Sequence, residues 1–115
     1  MIDYWFSTMI YVQDLSHTFD SNFNNYCYQK ILDIKSHHKR SVPWYCNTYA
    51  TLDVVDLSED LQISKLIEEC KSHIKTFSKS FGLNCNVKCV DCWGNIASTG
   101  DYQERHVHPK SHFSL

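Results

Sequence analysis

One apolar stripe constrains this chain more than any other feature. Ile63, Leu66, Ile67, Cys70, Ile74, Phe77 and Phe81 recur at a spacing of about 3.6 residues, which is the period of an amphipathic helix. Asp56 and Glu59 stand at capping-box spacing ahead of it, with Ser58 as an alternative cap. Gly82 supplies a left-handed stop behind it. The pattern predicts one helix of about six turns, beginning near Asp56. A stripe that long has to lie on something broad, and a sheet is the natural partner.

The remaining elements are read around it. Trp5 to Val12 is an apolar, β-favouring run that predicts an edge strand. From Asp20 or Ser21 as N-cap, Phe23, Tyr26, Cys27, Ile31 and Ile34 recur at helical spacing. A polar loop, SHHKRSVP, leads to a strand over Trp44 to Leu52. After Gly82, alternation predicts a strand with Cys85, Val87, Cys89, Asp91 and Trp93 on one face. Asn86, Lys88, Val90 and Cys92 would then lie on the other. Ser98-Thr99-Gly100-Asp101 reads as a turn, and a last strand starts near Tyr102. No internal repeat, low-complexity tract or linker divides residues 1–115, so a single domain is expected.

Composition narrows the function classes. Hydrophobic residues make up 43% and charged residues 21%, with three Trp, seven Tyr and six Phe to fill a core. A net charge of −2 gives no bulk attraction to nucleic acid or anionic lipid. The short basic run His37-His38-Lys39-Arg40 reads as a solvated loop. No segment approaches the roughly 20 apolar residues of a membrane span. The N-terminus carries an acid where a signal peptide carries lysine or arginine, so a cytoplasmic chain is expected. Its six cysteines, Cys27, Cys46, Cys70, Cys85, Cys89 and Cys92, would then be reduced thiols.

So many Cys and His together raise metal binding, in two forms. The first is a non-catalytic zinc-binding interaction module, with Cys89-Val-Asp-Cys92, Cys85, His106 and His108 as a tetrahedral donor set. Against it, alternation sends Cys89 and Cys92 to opposite faces, and the cysteines serve equally as small buried hydrophobes. The second form rests on His106-x-His108. In a strand, side chains at i and i+2 share a face, so two imidazoles stand side by side with Glu104 beside them. Imidazole nitrogens with an oxygen donor and open positions suit Fe(II). His112 joins that face only if the strand runs unbroken through Pro109.

The stretch CWGNIASTGDYQERHVHPKSHFSL, Cys92 to Leu115, resembles the core motif of a family of Fe(II)/2-oxoglutarate-dependent oxygenases found in marine bacteria and in phages infecting cyanobacteria. Trp93, Asn95, Gly100, Tyr102, Gln103, His106, His108, Pro109 and Ser114 fit the family pattern, and WYCNTYATLDVVDL ahead of a long helix is similar in order and spacing. The resemblance implies an α+β fold, with N-terminal helices packed on the first strands of a double-stranded β-helix (a jelly-roll). It implies Fe(II) as cofactor, 2-oxoglutarate and O2 as cosubstrates, and a prime substrate that the motif does not specify. His106 would be the first metal ligand and His108 the second. His108 stands where the wider superfamily carries Asp or Glu, so ligation by Glu104 with His108 behind it is the alternative. Tyr102 and Gln103 would orient the cosubstrate or a ligand histidine, and no catalytic residue is implied beyond the ligands.

The resemblance also implies that the barrel within these 115 residues is incomplete. Family members run on past the position of Leu115 into the distal histidine and a basic residue that pairs with 2-oxoglutarate. A polypeptide of this length is therefore expected to be inactive alone, and a complementing C-terminal fragment is the partner that would restore the site.

Overall fold

The structure, a computed structural model, describes residues 9–39, 47–103, 105 and 113. The first helix, α1, spans Ser21–His37. It starts there because Asp20 is extended and its Oδ1 accepts the backbone N–H groups of Asn22 and Phe23 at 2.9 and 3.1 Å. Cys27, Ile31 and Ile34, one turn apart in succession, face the core. Lys35 occupies the last turn, where its positive charge complements the helix dipole.

Thr48, Tyr49, Ala50 and Thr51 are all buried. Strand β1, Tyr49–Ala50, pairs antiparallel with β2, Asn95–Ile96; Tyr49 lies opposite Ile96 and Ala50 opposite Asn95. Thr51 extends this contact. Its N–H donates to the Gly94 carbonyl at 3.0 Å, and its hydroxyl Oγ1 accepts from the Gly94 N–H, also at 3.0 Å. The Leu57 N–H donates to the Cys92 carbonyl at 3.2 Å, so residues 92–96 are fastened along residues 49–57. Both strands are shorter than the sequence suggests. The predicted strand over residues 84–98 is regular only at Asn95–Ile96, and that over residues 44–52 only at Tyr49–Ala50 among its described residues. Alternation marks a residue that can sit half-buried in extended backbone; it does not supply the partner that turns such backbone into a strand. For the same reason residues 9–12 are no strand, and Val12 is 85% exposed.

The long predicted helix is split. Asp56 caps only a short 3-10 turn, Leu57–Glu59, accepting the Ser58 N–H at 2.9 Å. Asp60 then turns extended and takes over as cap, its Oδ1 accepting from the N–H groups of Gln62 and Ile63 at 2.9 and 3.1 Å. The second helix, α2, accordingly runs Ile63–Lys79, roughly five turns rather than six. The break lets Leu57 point inward, where it is 3% exposed.

The stop at Gly82 matches the expectation. Its φ of +72° is left-handed, the Gly82 N–H donates to the Lys79 carbonyl at 2.9 Å, and the Leu83 N–H donates to the Ser78 carbonyl at 3.1 Å. Those two bonds form a Schellman ending.

Ile34, Leu57 and Ile63 form the centre of the core, with Cys27, Ile31, Val54, Val55, Ile67 and Cys92 packed around it. The N-terminal half of the α2 stripe meets this core. The C-terminal half meets aromatic rings instead, since Phe77 packs against Tyr11, Phe81 and Phe113 at centroid separations of 5.6, 5.0 and 6.4 Å.

Candidate functional site

Among the motif residues, the structure describes those ahead of the histidine pair. Trp93 is half-buried, and Asn95 lies exposed in β2. The expected turn is present: the Asp101 N–H donates to the Ser98 carbonyl at 3.0 Å, and the Asp101 carboxylate accepts the Ser98 N–H at 2.7 Å. Gly100 adopts φ +93° there, a conformation that other residues rarely reach. Tyr102, 60% exposed, and Gln103, also exposed, follow directly. A phenol hydroxyl and a carboxamide both offer donors to a carboxylate ligand. His106, His108, Glu104, Pro109, His112 and Ser114 lie outside the described residues. Phe113 is described, with its ring on Phe77.

The thiols are arranged differently from the expected zinc set. Cys85 donates from Sγ to the Ser78 hydroxyl at 3.3 Å, beneath the end of α2. Cys85, Val87 and Cys89 are half-buried while Asn86, Lys88 and Val90 are exposed, as alternation requires. The alternation then fails: Asp91 is exposed and Cys92 turns inward onto the core. The expectation that Cys89 and Cys92 take opposite faces is corrected accordingly. The cause is the Leu57 N–H bond to the Cys92 carbonyl, which fixes the chain at that point.

Cys92 is pushed up to about 11, first by burial and then by the neighbouring Cys89 thiol and Asp56 carboxylate, with smaller contributions from Cys27 and Cys70. Burial also raises Cys27, Cys70 and Cys89. Cys27 and Cys70, which lie outside the zinc donor set, carry an inward-facing signal in their helical spacing on apolar stripes. Thiols held protonated in this way behave as small hydrophobes. Among the described residues, no group of three or more His, Cys, Asp or Glu side chains is arranged to hold a metal.

The strongest polar cluster joins the two helices. Asp60, its side chain only 8% exposed, accepts the Tyr26 hydroxyl at 2.7 Å and the Lys30 ammonium at 3.0 Å, besides the two N–H groups it caps. Burial works to raise its carboxyl. The bonds from Tyr26, the Ile63 N–H, Lys30 and the Gln62 N–H outweigh that and hold it well below the usual carboxylate range. With its carboxylate taken up by four donors from α1, from Gln62 and from the start of α2, Asp60 makes this cluster a structural joint between the helices.

No helix among the described residues is long and apolar enough to cross a membrane. Comparison with family models, with curated proteins and with solved structures finds no match to this chain.

Proposed function

We propose that this chain is the N-terminal part of an Fe(II)/2-oxoglutarate-dependent oxygenase that oxidises a substrate of unassigned class. The observation that carries the reading is the register of Trp93-x-Asn95, Gly100-x-Tyr102-Gln103 and His106-x-His108-Pro109. The glycine turn that this register calls for is supported by the hydrogen-bonded Ser98–Asp101 turn with Gly100 at positive φ.

The donor chemistry fits iron. Two imidazoles with a carboxylate near in sequence, Glu104, are intermediate-to-hard donors of the kind Fe(II) accepts, while the soft thiols of Cys27 and Cys92 are packed on the core. His106 and His108 would hold the metal, with Glu104 as the alternative second ligand. The bound iron would supply the coupling of 2-oxoglutarate decarboxylation to substrate oxidation. The chain's own residues bind and orient: Tyr102 and Gln103, exposed just past the turn, offer hydrogen-bond donors to 2-oxoglutarate.

Cobalt(II) titration followed by absorbance tests the reading. The expected result is weak binding with a nitrogen and oxygen ligand spectrum, reduced at least about tenfold by His106→Ala, since losing a ligand costs more than losing its outer partner. Affinity unchanged in His106→Ala would overturn it. A strong thiolate charge-transfer band would instead favour the zinc-module alternative.

A further inference from the structure

The end of α2 and the chain that leaves it form a cleft that the oxygenase reading does not use. Past the Schellman ending the chain is fastened back onto α2 at Cys85. The Cys85 thiol donates to the Ser78 hydroxyl at 3.3 Å, and that hydroxyl donates to the Ile74 carbonyl at 2.8 Å. Ser78 is 1% exposed, so water does not compete for this joint. Asn84 and Asn86, on either side of Cys85, remain exposed, as do Lys75 and Lys79. These five residues line a cavity of about 390 Å³, a volume in the range that takes a small molecule.

The lining is positive and rich in donors. Lys75 and Lys79 stand one turn apart, with Cβ atoms about 5–6 Å from each other on one face of the helix. No acidic residue lies between Glu69 and Asp91, and the acids of α2 are engaged elsewhere, Glu68 by Lys71 at 2.6 Å and Glu69 by His73 at 3.2 Å. Among the described residues neither ammonium has a carboxylate partner, and neither carboxamide has a hydrogen-bond partner. An ammonium only donates and a carboxamide brings two further N–H donors, so the complementary ligand carries several acceptor oxygens and negative charge. The negative end of the helix dipole opposes an anion here. That opposition is reduced because the carbonyls of Phe77, Ser78 and Lys79 already accept N–H groups from residues 80–83. We propose that this cleft binds a phosphate group, with Lys75 and Lys79 supplying the charge and Asn84 and Asn86 the amide donors. The tetrahedral oxygens of phosphate meet donors from both walls at once, which one planar carboxylate does not. The volume leaves room for a small organic group, so free phosphate and a phosphate monoester share the chemistry that is recognised. The inference stands apart from the oxygenase reading.

Amide-detected NMR of the full chain tests it, read at the side-chain amides of Asn84 and Asn86. Sodium phosphate, added at constant pH and with chloride holding the ionic strength constant, should shift both amides saturably. The Kd should be on the order of millimolar, as suits charges that face water. Lys75→Gln and Lys79→Gln should each weaken binding about two- to fivefold, the range for one exposed ion pair. Lys65→Gln, in the first turn of α2, should bind like the parent. Both cleft lysines are exposed, so the rest of the spectrum should hold in either variant, and each guards against a disturbed helix end in the other. Shifts that grow without saturating, or that Lys65→Gln reduces as much as the cleft variants do, are charge screening only and overturn the site. Saturable binding that both cleft variants leave unchanged overturns it equally. Succinate bound more tightly than phosphate overturns the choice of phosphate. Glycerol phosphate bound more tightly than inorganic phosphate supports the site with a monoester as its occupant; equal or weaker binding supports it with free phosphate.

Discussion

Asp60 does more than any other single residue among those described. It ends a 3-10 turn, starts α2, and ties α2 to α1 through Tyr26 and Lys30. Its lowered carboxyl gives stability that is complete above the unfolded carboxylate value of about 3.9 and is lost as pH falls through the folded value. Lys30, raised by its bond to Asp60, works in the other direction. Its contribution is complete below about 10.4, the unfolded lysine value, and is lost as pH rises through the folded one. Asp60→Asn keeps an oxygen for the two N–H groups but gives up the ion pair. Urea unfolding at pH 7 should show a loss of about 1–3 kcal/mol. The variant should also show a shallower decline of stability below pH 4 than the parent. An acid limb as steep as the parent's would remove Asp60 from this role.

At the level of elements, the decisive contact is between α1 and the segment just before β2. A Cβ built at Gly94 would collide with the Ile31 side chain, its Cδ1 and Cγ1 atoms both too close. Gly94→Ala should therefore cost about 1–3 kcal/mol of unfolding free energy, the range for overpacking. Ile31→Val should recover part of that loss in the double variant, and strict additivity would show that the two sites do not touch. This contact was not legible in the sequence, where Gly94 read as one residue of a strand. The helices were legible, because Asp20 as a cap and Gly82 as a stop act within a few residues of themselves. The split at Asp60 was missed since both Asp56 and Asp60 are competent caps, and only the burial of Leu57 chooses between their roles. The pairing of Tyr49 with Ile96 spans nearly half the chain, and no local pattern specifies it. Of the candidate site, the glycine turn was legible in advance, because a φ of +93° restricts the residue to glycine. The inward turn of Cys92 was not, because it depends on a bond from Leu57.

At the scale of the molecule, the described apolar residues exceed what the core takes in. Only Ile34, Tyr49, Ala50, Leu57 and Ile63 are buried hydrophobics among the described residues, while Ile10, Val12 and Leu61 are each about four-fifths exposed. The radius of gyration is 16.6 Å, against about 13 Å for a compact domain of this length. The described residues thus remove less apolar surface from water than those of a compact domain would. The dependence of unfolding free energy on urea should be correspondingly weak, with a slope below about 1 kcal/mol per molar. A slope typical of a tightly packed 115-residue domain would contradict that expectation.

The double link between Thr51 and Gly94 also sets an order of events during synthesis. Ile31, Leu57 and the buried run through Thr51 all leave the ribosome well before the residues that complete their surroundings. Until residues 92–96 emerge, the Thr51 and Leu57 N–H groups lack the Gly94 and Cys92 carbonyls they pair with and Ile31 lacks its wall at Gly94, so this side of the helix pair stays open to water while the intervening residues are made.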